Sequence, residues 1–195
     1  MAPVMGPFSL DRVVLAVELV RQRLLRATAA LETAGIPYAV AGGNAVALWI
    51  SRVDISAVRN TSDVDLLVRR PDLDAIRTAL ATAGFVYRHV ASLDVFLDGP
   101  EGKARDGVHL IFDGETVRPG EPLPNPAVTE SVAGGEYKVL NLRALVQIKL
   151  TAYQDKDRTQ LRDLLEVGLV DASWLPLYPT ELADRLRRLI ETPGG

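Results

Sequence analysis

A chain of 195 residues, 48% of them hydrophobic, can bury a sizeable core as one domain, or as one domain with a helical appendage, and is not a disordered polymer. Its formal charge is −3, from 22 Lys and Arg against 25 Asp and Glu, so no strongly basic balance advertises tight binding to a nucleic-acid backbone. Without cysteine it holds no disulfide and no thiolate metal site, and its two histidines, His89 and His109, do not make a His-rich zinc site in one chain.

Residues Ser9 to Ala34 predict a long amphipathic helix, capped by Ser9 or Asp11 and ended by Gly35 and Pro37. Val13, Val14, Val17, Val20, Leu24, Leu25 and Leu31 form its expected buried stripe. Arg12, Arg21, Arg23 and Arg26 fall off that stripe and are expected in solvent. With Glu18, three of those arginines break the apolar run, so neither a membrane span nor a signal peptide is expected, and the expected location is the cytoplasm. Tyr38 to Ala41 predicts a short strand, Gly42-Gly43-Asn44 a turn, and Ala45 to Ile50 the start of a second helix. A strand, a glycine turn and a helix N-terminus collect free backbone N–H groups at one point, which favours phosphate. The simpler alternative is a tight turn that needs glycine for its geometry alone.

Pro71 to Ala83 predicts a helix ended by Gly84. Phe85 to Val90 and Leu93 to Leu97 predict a hairpin, Gly107 to Phe112 a strand, and residues 114–126 a loop holding Pro119, Pro122, Pro124 and Pro126. Tyr137 to Leu140 reads as a short strand. From Asn141 onward the pattern is helical. Leu142, Leu145, Val146, Ile148, Leu150 and Ala152 mark one helix, Leu161, Leu164 and Leu165 the next, and Thr180 and Glu181 open a last one that carries Leu182, Leu186, Leu189 and Ile190. The expected fold class is α/β (α+β): a mixed sheet flanked by helices, with a C-terminal helical extension.

The chemistry is concentrated in Asn60-Thr61-Ser62-Asp63-Val64-Asp65-Leu66-Leu67-Val68, a polar turn running into a strand. Side chains alternate along a strand, so Asp63 and Asp65 share a face, about 6–7 Å apart at the backbone. Two adjacent carboxylates repel and call for compensation. Mg²⁺ supplies it, since it prefers one or two carboxylates together with phosphate oxygens. Exposed aspartates without a ligand are the bland alternative. Arg59, just before them, can pair with one of them or with a phosphate.

Strand, Gly42-Gly43, helix, then a strand bearing Asp63-Val64-Asp65 is an order that resembles the nucleotidyltransferase superfamily, the polymerase-beta-like and minimal nucleotidyltransferases. The 19 residues between Gly43 and Asp63, and Thr61 before the aspartates, look closer to the AbiEii-type toxin nucleotidyltransferases. So does the C-terminal part, where Lys149 stands in a helix followed by Arg162-Asp163-Leu164-Leu165. The strand-rich middle and helical end divide the chain into an expected core over residues 1–140, N-terminal helix included, and a helical extension over 141–195, and the resemblance covers residues 36–168. It implies that Gly42, Gly43 and Asn44 hold the triphosphate of an NTP, that Asp63 and Asp65 hold two Mg²⁺ ions, and that Lys149 contacts phosphates. Asp157 or Asp163 would be a secondary polar site. The implied activity moves a nucleoside monophosphate to a hydroxyl of RNA, protein or a small molecule, and the toxin branch implies an antitoxin protein as partner. From the residues alone, Lys149 lies on the buried side of its helix and needs a snorkelling route or an anionic partner, and Asp163 can equally pair with Arg158, Arg162 or Lys149.

The chain departs from the family pattern at the third carboxylate, whose matching position in Val108-His109-Leu110 holds His109. Imidazole can take a proton or bind a metal but brings no negative charge. Three functional accounts follow: His109 is the base, a neighbouring aspartate (Asp94, Asp98, Asp106 or Asp113) replaces the carboxylate, or transfer is lost and a non-catalytic nucleotide-binding or protein-interaction module remains. A core hydrogen bond made by His109 is the structural alternative.

Overall fold

The computed structural model describes residues 10–90 and 93–192. Ser9, one of the two expected caps of the first helix, lies outside them. Helix α1 spans Leu10–Thr33 and stops at Gly35, whose φ of +65° lies in the left-handed region that closes helices. It reaches the core from Val20 onward, chiefly through Leu24, Ala27, Thr28 and Leu31. Val13, Val14 and Val17 continue the same apolar pattern but are exposed, because the chain packs against the later turns alone. Arg23, expected in solvent, is instead buried.

Among the described residues one mixed seven-stranded sheet forms, in the order β3-β4-β5-β2-β1-β7-β6. The strands are β1 (Tyr38–Ala41), β2 (Val64–Val68), β3 (Phe85–Val90), β4 (Leu93–Asp98), β5 (Val108–Phe112), β6 (Ser131–Ala133) and β7 (Lys138–Leu140). The expected hairpin is β3 and β4, in antiparallel register. β6, only three residues long, is too short to leave a periodic signal, and it pairs with β7 at the sheet edge. β2 runs antiparallel to β1 and parallel to β5, and Val64, Leu66, Leu67 and Val68 are fully buried. Apolar side chains on both faces suit a strand covered on both sides.

Helix α2 spans Gly42–Ser51, so the glycine pair forms its first turn and does not precede it as expected. Helix α3 spans Leu73–Thr82 and follows a single 3₁₀ turn that takes up Pro71. The C-terminal helices are α4 (Leu142–Ala152), α5 (Asp155–Glu166) and α6 (Thr180–Glu191). Asn141 caps α4, its Oδ1 accepting from the Ala144 N–H at 2.9 Å. Tyr153, with a φ of +49°, turns the chain from α4 into α5. Leu145, Leu150, Leu161, Leu164, Leu182 and Leu186 join the same apolar core as the sheet. No helix among the described residues is long and apolar enough to cross a membrane.

Candidate active site

The register of three strands builds the site. Asp65 stands opposite Ala41 across the β1–β2 ladder and opposite His109 across the β2–β5 ladder. Ala41 is the last residue of β1, so the first turn of α2 begins beside the Asp65 carboxylate. Gly42 adopts a φ of +59°, and a Cβ there would lie 1.7 Å from Asp65 Oδ2. A Cβ on Gly43 would come within 2.8 Å of Thr61. The glycine pair therefore makes room for Asp65 and Thr61 against the helix N-terminus. Among the described residues no side chain caps α2, so its first N–H groups face this corner of the fold.

Asp63 lies one residue before β2. Its carbonyl accepts a 2.7 Å bond from Asn44 Nδ2, and its carboxylate accepts the Thr61 hydroxyl. The structure brings Asp63, Asp65 and His109 together: each offers a ligating atom, and these atoms lie within 4.8 Å of one another. His109 Nδ1 is 3.6 Å from Asp65 Oδ1 and 4.0 Å from Asp63 Oδ2. His109 Nε2 lies 2.7 Å from the Ala104 carbonyl, which only accepts, so Nε2 carries the proton and Nδ1 is the nitrogen left to ligate or to take a proton. The Asp65 carboxylate beside it raises the imidazole pKa above its ordinary value, against the effect of burial.

Lys156, which the sequence reading passed over, supplies the ammonium here. Its Nζ is 3.1 Å from Asp63 Oδ2 and 3.4 Å from Oδ1. Burial opposes the charge on Asp63, but Thr61 and Lys156 outweigh it and hold the carboxyl below the usual carboxylate range. Burial likewise opposes the charge on Lys156, and Asp63 and Asp65 overcome it, so its pKa is raised. Lys156 stands in the first turn of α5 between Asp155 and Asp157, so no local pattern pointed to its partner 93 residues away.

Lys149 is not at the cluster. It is buried, and its Nζ donates to Asp157 Oδ1 at 3.1 Å, so its need for an anionic partner is met inside the helical layer. Asp157 Oδ2 also accepts from the Gln154 N–H and caps α5. Arg59 pairs with neither carboxylate of the site but with Asp163, at 2.8 Å, and this replaces the partners expected for Asp163. The alternative carboxylates are likewise engaged elsewhere. Asp94 accepts from Tyr87, His89 and Arg70, Asp98 pairs with Arg23 and Arg26, Asp106 lies 3.5 Å from Arg105, and Asp113 accepts from the Val128 N–H.

Beside the cluster is a cavity of about 220 Å³ between α2 and α5. Gly43, Arg59, Thr61, Lys156 and Gln160 line it. With Asp163, the partner of Arg59, also in its wall, it joins two cations, one carboxylate, a helix start and the turn that carries Asp63.

No protein-family model and no curated protein matches the chain. Solved structures do. An antigenic nucleotidyltransferase-like protein from Paracoccidioides brasiliensis is 19% identical, with a TM-score of 0.51, over 96% of this chain and 91% of that one. A candidate nucleotidyltransferase from H. pylori is 14% identical, with a TM-score of 0.50, over 95% of this chain and 79% of its own. The chain therefore has a nucleotidyltransferase-like fold: a mixed sheet, flanking helices and a C-terminal helical layer. The Asp63, Asp65 and His109 cluster on that fold is consistent with a metal site.

Proposed function

We propose that the protein is a divalent-metal-dependent nucleotidyltransferase that moves a nucleoside monophosphate from an NTP to a hydroxyl acceptor. The observation that carries the reading is the convergence of Asp63, Asp65 and His109 within 4.8 Å, on a nucleotidyltransferase-like fold. The donor set fits a small divalent cation. The carboxylates of Asp63 and Asp65 suit Mg²⁺ or Mn²⁺, which leaves the imidazole beside them as the base. Bound there, such a cation supplies charge neutralisation for the phosphates and for the oxygens entering and leaving phosphorus.

The chain's own residues do the rest. Gly43, in the first turn of α2 with Gly42 and Asn44, lines the side on which the triphosphate is held, together with Lys156 and Arg59. Asn44 and Thr61 fix Asp63. The acceptor oxygen forms its bond to the α-phosphorus as the bond to the β-phosphate oxygen breaks, and pyrophosphate leaves with the electron pair. The hydroxyl proton goes to His109 Nδ1, the ring nitrogen without a backbone partner. Such chemistry needs positioning and charge neutralisation more than covalent assistance.

The acceptor, whether RNA, protein or small molecule, is read from no residue of the site. The AbiEii-type toxin role, with its antitoxin partner, is the finer reading that the sequence resemblance supports. Growth arrest on expression, relieved by Asp65→Asn, tests it. The activity itself is tested by transfer from labelled NTPs with wild type and Asp63→Asn/Asp65→Asn. Metal-dependent labelling lost in the double variant is expected. Equal labelling by both proteins contradicts the assignment, and nucleotide binding without any transfer favours the non-catalytic module.

A further inference from the structure

Asp63 and Asp65 reach the cluster by different means. Asp65 sits inside the ladder, bracketed by Ala41 and His109. Asp63 precedes β2, so sheet register does not fix it, and side chains hold its peptide instead. Asn44 takes the Asp63 carbonyl, and Arg23 takes the one before it: Arg23 Nη1 donates to the Ser62 carbonyl at 3.1 Å.

Arg23 arrives from α1, 39 residues earlier in the chain. Its side chain is only 10% exposed, and its Nε donates to Asp98 Oδ2 at 3.2 Å. Arg26 pairs with the other oxygen of the same carboxylate. A buried guanidinium persists when its charge is paired and its donors are satisfied, and here one arm goes to Asp98 at the end of β4 and the other to the turn carrying Asp63. The planar fork can serve both acceptors at once, whereas a lysine ammonium, a compact point charge, has no such fork. We infer that Arg23 is a positioning residue for the metal site, bracing the Ser62–Asp63 peptide against Asp98 so that the Asp63 carboxylate stays beside Asp65 and His109. The inference rests on the reading of Asp63 as a metal ligand. Groups that orient metal ligands from behind typically change metal affinity by about 10–100-fold when removed.

The test uses the full chain and Mn²⁺ as the probe, with wild type, Asp65→Asn, Arg23→Gln and Arg23→Lys, and hydrogen exchange read at the Val64 amide. That amide directly follows Asp63 and donates to the Gly107 carbonyl at 3.1 Å. Wild type is expected to bind Mn²⁺ and Asp65→Asn to lose it. Arg23→Gln and Arg23→Lys should weaken binding about 10–100-fold and speed exchange at Val64, while the Leu66 to Val68 amides stay protected. Arg23→Lys keeps a charge for Asp98, so it should melt near wild type yet fail to restore the affinity, a split that mere loss of α1 docking does not produce. Wild-type Mn²⁺ affinity in both Arg23 variants, or unchanged exchange at Val64, overturns the role. If wild type binds no Mn²⁺, the metal reading fails and the inference falls with it. The exchange data then still report whether Arg23 braces the turn.

Discussion

Asp65 and His109 are Cα partners in the parallel ladder between β2 and β5, and the imidazole Nδ1 stands 3.6 Å from the Asp65 carboxylate. A side chain at position 109 is therefore delivered to the carboxylates by sheet register. His109→Asp should place a third carboxylate there and tighten Mg²⁺ binding by about tenfold, because the charge and number of oxygen ligands set such affinities. Calorimetric Mg²⁺ titration of wild type, His109→Asp and His109→Ala checks this. Equal loss of affinity in both variants would show that the imidazole itself is required.

Lys149 and Lys156 stand seven residues apart and should fail differently. Lys149 and Asp157 are 5% and 12% exposed at their side chains, so Lys149→Met leaves a carboxylate buried without its partner and should cost about 3–5 kcal/mol. Lys156 is 52% exposed, and Lys156→Met should change stability by less than about 1 kcal/mol while weakening NTP binding. Urea unfolding with nucleotide titration separates the two. A stable Lys149→Met with poor NTP affinity would reverse these assignments.

Gly42 leaves no room for a side chain. Its φ of +59° costs an L-residue about 1–2 kcal/mol, and a Cβ would also displace Asp65 Oδ2. Gly42→Ala should therefore lower both stability and Mn²⁺ affinity. Gly84→Ala has a similarly positive φ, +86°, but meets nothing within 4 Å, so it should lower stability alone. Denaturation midpoints and Mn²⁺ titrations of the two variants make the comparison.

Away from the site, Asp94 is buried opposite His89 in the β3–β4 hairpin. Burial opposes its charge, but the Tyr87 hydroxyl, the His89 imidazole and Arg70 outweigh it and lower its pKa. A carboxyl with a lower pKa in the folded state adds stability above its unfolded pKa, and that stability is lost as the pH falls through the folded value. Asp94→Asn should cost about 2 kcal/mol at pH 7, and the difference from wild type should shrink as the pH falls below the ordinary aspartate range. A constant difference across that range would assign the effect to packing.

How far the sequence could be read depended on whether a feature was local. Asp63 and Asp65 announce themselves by their i, i+2 spacing at the start of an apolar strand, although Asp63 itself precedes β2, and His109 by standing where the family resemblance expects a third carboxylate. Leu182, Leu186 and Leu189 mark α6 by helical spacing. Arg59, Lys156 and Arg23 could not be placed this way, because their partners lie 104, 93 and 39 to 75 residues away and only the closed fold brings them together. Val13, Val14 and Val17 carry a correct helical pattern, yet periodicity says nothing about where the packing partner ends. Gly42 was legible as a required glycine, but its reason, the Asp65 carboxylate, is tertiary.

The central claim is that Asp63 and Asp65, beside His109, hold a divalent cation on which nucleotide binding depends. Titration of a non-hydrolysable NTP analogue into the full chain tests it most directly, with Mg²⁺ or with excess chelator, in wild type and Asp63→Asn/Asp65→Asn. The account predicts binding in wild type with Mg²⁺, and its loss both with chelator and in the double variant. Equal binding in all four conditions, or no binding by wild type with Mg²⁺, would contradict it.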